Sequence, residues 1–146
     1  MGTPPRAVFG RLLQGISDGA WSELADLYSE RAVVEMPFAP GGPTRLEGRE
    51  AIRAHFAAAA GGPLELRAGN VVVHETTDPE VIVGEFDYEG RVTTTGRAFR
   101  LANVQVLRIR DGQIVSSRDY HDHLAIAAAV GRLEALVSSV AGQSAP

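Results

Sequence analysis

A chain of 146 residues with a formal net charge of -4 and no cysteine is long enough to bury one hydrophobic core, and it excludes disulfides and thiolate chemistry. The acidic balance, without clustered basic charge, argues against a phosphate-backbone binder, so no nucleic-acid partner is expected. No apolar run approaches the ~20 residues that span a bilayer, and Met1 to Arg6 lacks the layout of a signal peptide, which points to a cytoplasmic protein without a membrane partner.

Thr3 with Pro4 and Pro5 predicts a helix start capped by the Thr3 hydroxyl. Val8, Phe9, Leu12, Leu13 and Ile16 then recur at helical spacing until the Gly15 to Gly19 region. Asp18 is placed to cap a second, short helix, Ala20 to Tyr28, with Trp21, Leu24, Leu27 and Tyr28 on one side. Ala32 to Phe38 alternates as a short strand and runs into the loop Ala39-Pro40-Gly41-Gly42-Pro43. Glu35 on it is either a solvent-side residue or a carboxylate aimed into a cavity. A third helix, Arg49 to Ala60, presents Ile52, Phe56 and Ala59 as a stripe, with His55 at its edge, before Gly61-Gly62-Pro63 stops it.

Two strands follow, Leu64 to Thr76 with a bulge near Ala68-Gly69-Asn70, and Glu80 to Tyr88, joined through Thr77-Asp78-Pro79. In the second, Val81, Val83, Glu85 and Asp87 alternate with Ile82, Gly84, Phe86 and Tyr88. A carboxylate pair beside valines suggests a partly buried site at Glu85 and Asp87.

The most informative stretch comes next. Arg97 to Arg110 alternates Phe99, Leu101, Asn103, Gln105, Leu107 and Ile109 against Arg100, Ala102, Val104, Val106 and Arg108, the period of a half-buried strand. Asp111-Gly112 supplies the two positive φ angles of a tight hairpin turn. The returning strand, Gln113 to His123, ends in the polar run Arg118-Asp119-Tyr120-His121-Asp122-His123. Asp122 can cap a closing helix from Leu124 to Val137, after which Ser138 to Pro146 is small and polar enough to fray.

This order predicts a single α+β domain over residues 1–146, with an ordered core of about 4–137: a cone-shaped, curved antiparallel sheet wrapped over the N-terminal helices, with a short C-terminal helix. Such a cone has an apolar interior. The order and the segments Tyr28-Ser29-Glu30-Arg31-Ala32-Val33-Val34-Glu35-Met36-Pro37, Leu46-Glu47-Gly48-Arg49-Glu50-Ala51-Ile52 and Asp111-Gly112-Gln113-Ile114-Val115 resemble the nuclear-transport-factor-2-like superfamily, in particular its SnoaL-like branch. Relatives in that branch include polyketide cyclases, ketosteroid isomerase and limonene-epoxide hydrolase. The resemblance spans roughly Arg6 to Leu136.

The resemblance implies a cofactor-independent acid/base enzyme of isomerase, cyclase or hydrolase type acting on a polyketide-, steroid- or terpenoid-like ligand. Arg118-Asp119-Tyr120-His121-Asp122 matches the hydrolase motif whose first aspartate is catalytic, which makes Asp119 the first choice. The hydrolase's arginine and aspartate pair falls near Glu85 and Asp87, with only the aspartate kept, and its water-holding tyrosine and asparagine become Val33 and Glu35. The ketosteroid isomerase base falls on Met36 and its oxyanion-hole aspartate on Gln105, which argues against steroid isomerisation by that mechanism. The catalytic set is thus Asp119, Asp87, Glu85 and His121. The ligand-binding set is Trp21, Glu35, Met36, Phe38, Phe56, Leu101, Asn103, Gln105 and Leu107, although Trp21 also reads as core packing.

Inward carboxylates in an apolar cone take up and return protons, and Asn103 and Gln105 could bind a carbonyl or developing oxyanion. Against this stands a plain ion pair of Asp119 with Arg100 or Arg118. His121-x-His123 invites a metal, with Asp119, Glu85 or Glu35 as third ligand, but the resemblance implies none. Remaining alternatives are an epoxide hydrolase with altered charges and a non-catalytic module for hydrophobic ligands or dimerisation. Val104 and Val106 on the outer face suggest a homodimer.

Overall fold

The computed structural model describes residues 2–143. The order is α1 (Pro5–Ser17), α2 (Trp21–Leu24) with a 3-10 turn (Ala25–Leu27), β1 (Tyr28–Met36), β2 (Thr44–Glu47), α3 (Arg49–Ala60), β3 (Leu64–Glu75), β4 (Val81–Val92), β5 (Ala98–Arg110), β6 (Gln113–His121), α4 (His123–Ala129) and α5 (Leu133–Gln143). The strands form one curved sheet in the order β2-β1-β6-β5-β4-β3, and helices α1 to α3 cover its concave face. Among the described residues no helix is long and apolar enough to cross a membrane.

The core sits between α1 and the inner face of the sheet. Val8, Phe9, Leu12, Leu13 and Ile16 of α1 are all buried, as their helical spacing dictates. They meet Ile82, Phe86 and Tyr88 of β4 and Leu101, Leu107 and Ile109 of β5. Phe9 packs edge-on against Phe86 with centroids 5.8 Å apart, and fully burying such a side chain stabilises the fold by about 1.5–3 kcal/mol. Gly84, between Ile82 and Phe86 on that face, leaves the space in which the Phe9 ring lies.

Several local expectations are corrected. Pro4, not the Thr3 hydroxyl, occupies the N-cap of α1, and no side chain supplies a cap bond there. Asp18 accepts a hydrogen bond from Gln14 Nε2 at 2.9 Å instead of capping α2, whose N-cap is Ala20. The second helix stops at Leu27, because Tyr28 is already extended and begins β1. Residues 44–47, left outside the predicted elements, form the edge strand β2 against β1. The sheet is antiparallel except where β1 runs parallel to β6, pairing Val34 with Ser117 and Glu35 with Arg118. The closing helix is two helices, separated around Gly131 at φ 75. The second continues through residue 143, so 138–143 do not fray, while residues 144–146 lie outside the described residues.

The hairpin carries the decisive detail. Asp111 and Gly112 adopt φ 51 and 76, as the dipeptide predicts. Beyond the turn Ile109 pairs with Ile114, but Arg108 pairs with Ser116, so Val115 is an extra residue on β6. This bulge reverses the alternation of β6. Ile114 points inward, and after it Ser117 and Asp119 do, whereas an unbroken alternation would have turned Ser116 and Arg118 to the interior.

Two glycines separate packing from propensity. A Cβ on Gly84 would lie 2.4 Å from the Phe9 ring, whereas one on the exposed Gly10 of α1 would meet nothing within 4 Å. Gly84→Ala should cost about 1–3 kcal/mol in urea unfolding, and Gly10→Ala should add about 0.5–1 kcal/mol. A Gly84→Ala protein as stable as its parent would show that Phe9 is free to move aside.

Candidate active site

The sheet and helices enclose a cavity of ≈ 170 Å³. Leu12 and Ile16 of α1, Trp21 of α2, Ile52, Phe56 and Ala59 of α3, and Leu64 and Leu66 of β3 supply apolar wall. The polar groups gather on the opposite side: Asn103 and Gln105 from β5, Asp119 and His121 from β6, with Tyr28 of β1 and Tyr88 of β4 beside them. The register explains the grouping, since Asn103 pairs with His121 and Gln105 with Asp119 across the hairpin.

Asp119 is 9% exposed and takes part in no salt bridge among the described residues, which removes the arginine-pair alternative. Arg100 instead pairs with Asp87 on the outer face. The Ser117 hydroxyl, itself buried, donates a short hydrogen bond to Asp119 Oδ1. Burial pushes the Asp119 carboxyl up to about 6, against the opposing effect of the Ser117 hydrogen bond. Burial, and then the nearby Asp119 charge, also raises the Tyr28 and Tyr88 hydroxyls, so both remain protonated donors at neutral pH.

His121 is held by a short relay. Asn103 Nδ2 donates to the Phe86 carbonyl at 3.5 Å, which turns its Oδ1 toward His121 Nδ1 at 2.8 Å. An amide oxygen only accepts, so Nδ1 carries the hydrogen and Nε2 keeps its lone pair. Burial, with lesser effects from His123 and His55, lowers the imidazole to about 4, so it is neutral at physiological pH.

The predicted residues divide cleanly by strand face. Trp21, Phe56, Leu101, Asn103, Gln105, Asp119 and His121 all line the cavity. Glu85 and Asp87 do not. The aromatic pair Phe86 and Tyr88 takes the inner face of β4, which puts both carboxylates outside, where Glu85 Oε2 lies 2.6 Å from His74 Nε2 and Asp87 bonds Asn70 and Arg100. Glu35 is likewise outward and lies 3.5 Å from Arg45. Met36 is half-buried but outside the cavity wall. Phe38 is 67% exposed, with its ring edge-on to Tyr120 at 5.0 Å. Leu107 is wholly buried in the core below the cavity. His123 is the first residue of α4, so it does not share the strand face of His121, and their rings stand 6.0 Å apart and nearly perpendicular. Among the described residues no three histidine, aspartate or glutamate side chains form a metal-ligating group.

Tyr28, Ser117, Tyr88 and His55 were not singled out in the sequence as site residues, yet Tyr28, Tyr88 and His55 line the cavity. Two of them carried a usable signal: Tyr88 shares the period of Phe86, and Ser117 lies two residues before Asp119.

Comparisons with known proteins agree on the architecture. The family model described as a SnoaL-like domain matches residues 9–117. An uncharacterised PhzA/B-like protein of Pseudomonas aeruginosa is 38% identical over 133 residues, covering 90% of this chain and 92% of its own. The crystal structure of a candidate isomerase from Bacillus subtilis superposes with a TM-score of 0.81 at 28% identity, covering 88% of this chain and 93% of that one. A candidate polyketide cyclase from Xanthomonas campestris gives 0.74 at 18% identity, covering 86% and 96%, a likeness that concerns the fold alone.

The two buried titrating groups act on stability with opposite signs. Between about pH 4 and pH 6 the folded chain holds a proton on Asp119 that the unfolded chain has lost, so this contribution grows as pH falls. Between about pH 4 and pH 6.5 the unfolded chain holds a proton on His121 that the folded chain excludes, so this contribution shrinks as pH falls. Each displacement corresponds to roughly 3 kcal/mol, and the two nearly cancel. Asp119→Asn should therefore make stability fall steeply on acidification from pH 6.5 to 4.5 in urea titrations, and His121→Gln should make it rise. Parallel profiles for the two variants would show that neither group is desolvated as described.

Proposed function

The chain belongs to the SnoaL-like domain family, and we propose that it is a cofactor-independent enzyme that moves protons on a small apolar substrate, with Asp119 as proton donor and acceptor and His121 as its partner base. The observation that carries this reading is the pair itself. A carboxyl raised to about 6 and an imidazole lowered to about 4 sit two residues apart on one strand, both against one apolar cavity.

Taking a proton from one atom of a bound molecule and returning it to another requires an acid and a base that are both available near neutrality. His121 Nε2 offers the lone pair, because Asn103 fixes the hydrogen on Nδ1. Asp119 offers or receives the second proton, and the Tyr28 and Tyr88 hydroxyls are donors for an oxygen that becomes negative during the transfer. Isomerisation through an enol or dienol fits this set better than epoxide opening, since no arginine lines the cavity among the described residues. The solved relative at 28% identity, a candidate isomerase, supports the same class.

The volume bounds the reacting part of the substrate. A cavity of ≈ 170 Å³ is close to the ~150 Å³ that accommodates benzene, so it holds about one ring. A full steroid or polyketide would place only one ring against Asp119.

Solvent exchange tests the proposal across a whole class of substrates at once. A panel of monocyclic β,γ- and α,β-unsaturated ketones in deuterated buffer should gain deuterium α or γ to the carbonyl faster with the protein than without it, as read by proton NMR. Asp119→Asn should lower that rate by about 10²-fold or more while leaving far-UV circular dichroism unchanged. A rate equal to buffer across the panel, or an Asp119→Asn protein as active as its parent, would sink the reading.

A further inference from the structure

One buried polar atom in the cavity wall is left unanswered by the hydrogen bonds around it. Gln105 is 4% exposed, and its Oε1 is buried without a donor. An unsatisfied buried acceptor is costly, and native structures rarely keep one without a cause. The neighbouring donors are committed elsewhere. Ser117 Oγ bonds Asp119, Asn103 Nδ2 bonds the Phe86 carbonyl, and His121 Nδ1 bonds Asn103. Neither Tyr28 nor Tyr88 supplies a bond to Gln105 Oε1.

The residue directly opposite Gln105 in the antiparallel register is Asp119, and both side chains point inward. Side chains so placed have Cβ atoms about 4.5–5.5 Å apart, within reach of a carboxyl on one side and an amide on the other. An ionised carboxyl only accepts hydrogen bonds, and it becomes a donor on protonation. Oδ1 already accepts from Ser117, so the proton belongs on Oδ2.

We propose that Gln105 Oε1 accepts the hydrogen bond of the protonated Asp119 carboxyl, which makes Gln105 a positioning residue that holds the acid form of the site ready for transfer. The acid form is then bonded at both oxygens, by Ser117 on one and Gln105 on the other. On ionisation Oδ2 loses its donor and is left facing an amide oxygen. The other titratable groups around the carboxyl are Tyr28 from β1, Tyr88 from β4, His121 from β6 itself and His55 from α3. The tyrosines stay protonated and the imidazoles are lowered, so none of them brings a fixed charge to bear on this hydrogen bond near neutrality.

The inference rests on Asp119 being a titrating acid, and its test reads the carboxyl rather than turnover. Infrared difference spectra of the full-length, ligand-free chain between pH 5 and pH 8 should contain a carboxylic-acid C=O band that is absent in Asp119→Asn. In Gln105→Leu and Gln105→Met that band should shift to higher frequency, as it does when a carboxylic O–H loses its acceptor. In the unsubstituted chain, where folding is not in question, the Gln105 side-chain carbonyl carbon should titrate in NMR with a midpoint near that of Asp119, about 6, and the titration should vanish in Asp119→Asn. An unmoved band in the folded Gln105 variants, or a Gln105 carbonyl indifferent to pH, overturns the proposal. If Asp119→Asn nonetheless abolishes isotope exchange, only this inference falls and the proton-transfer reading stands.

Discussion

The register of β6 against β5 is the constraint on which the site depends. Side chains alternate strictly along a strand, so a one-residue slip exchanges the two faces completely. Here the slip is built in as the extra residue Val115, between a turn that fixes Arg110 against Gln113 and a stretch that pairs Gln105 with Asp119. Without the bulge, Arg118 would face Gln105, and a guanidinium would enter an apolar cavity. With it, Arg118 lies outside over the Tyr120 ring at 5.7 Å, and the interior receives one carboxyl and one imidazole. Chemistry at one end of the hairpin is therefore decided by backbone geometry at the other.

What the interior receives, it penalises as an ion. Removal from water disfavours any charged form, which raises an acid and lowers a base. Burial moves Asp119 up to about 6 and His121 down to about 4, so between those two values the enclosed site holds a neutral acid and a neutral base. The Ser117 hydroxyl orients Asp119 from outside the cavity lining, and Asn103, in the cavity wall, orients His121.

Much of the fold was legible because the periods were clean. The α1 stripe, the limits of α3, the bulge at Gly69 to Val72 and the cap that Asp122 gives Ala125 all follow from local spacing and turn chemistry. Alternation put Leu101, Asn103 and Gln105 on one face, and the family resemblance supplied the phase that turns that face inward. Local spacing failed where the sheet decided. Glu85 and Asp87 lie on a strand with apolar residues on both faces, and only the packing of Phe86 and Tyr88 against α1 shows which face is interior. Tyr28 looked helical because its partner, Phe56 at 6.0 Å, belongs to an element that follows much later. Thr44 to Glu47 has too little pattern to announce a strand and exists because β1 offers it an edge.

The parallel pairing of β1 with β6 has a consequence for how the site comes into being. It joins Val34 to Ser117, and every other strand lies in the intervening segment. Tyr28 and Asp119, side by side in the polar wall on these two neighbouring strands, thus meet only when that whole loop has closed, a step that loop entropy and long-range topology disfavour. A chain still lacking β6 lacks Asp119 and His121, and with them part of the polar wall of the cavity. Whatever the cavity does, it begins to do all at once, when the last strand has found the first.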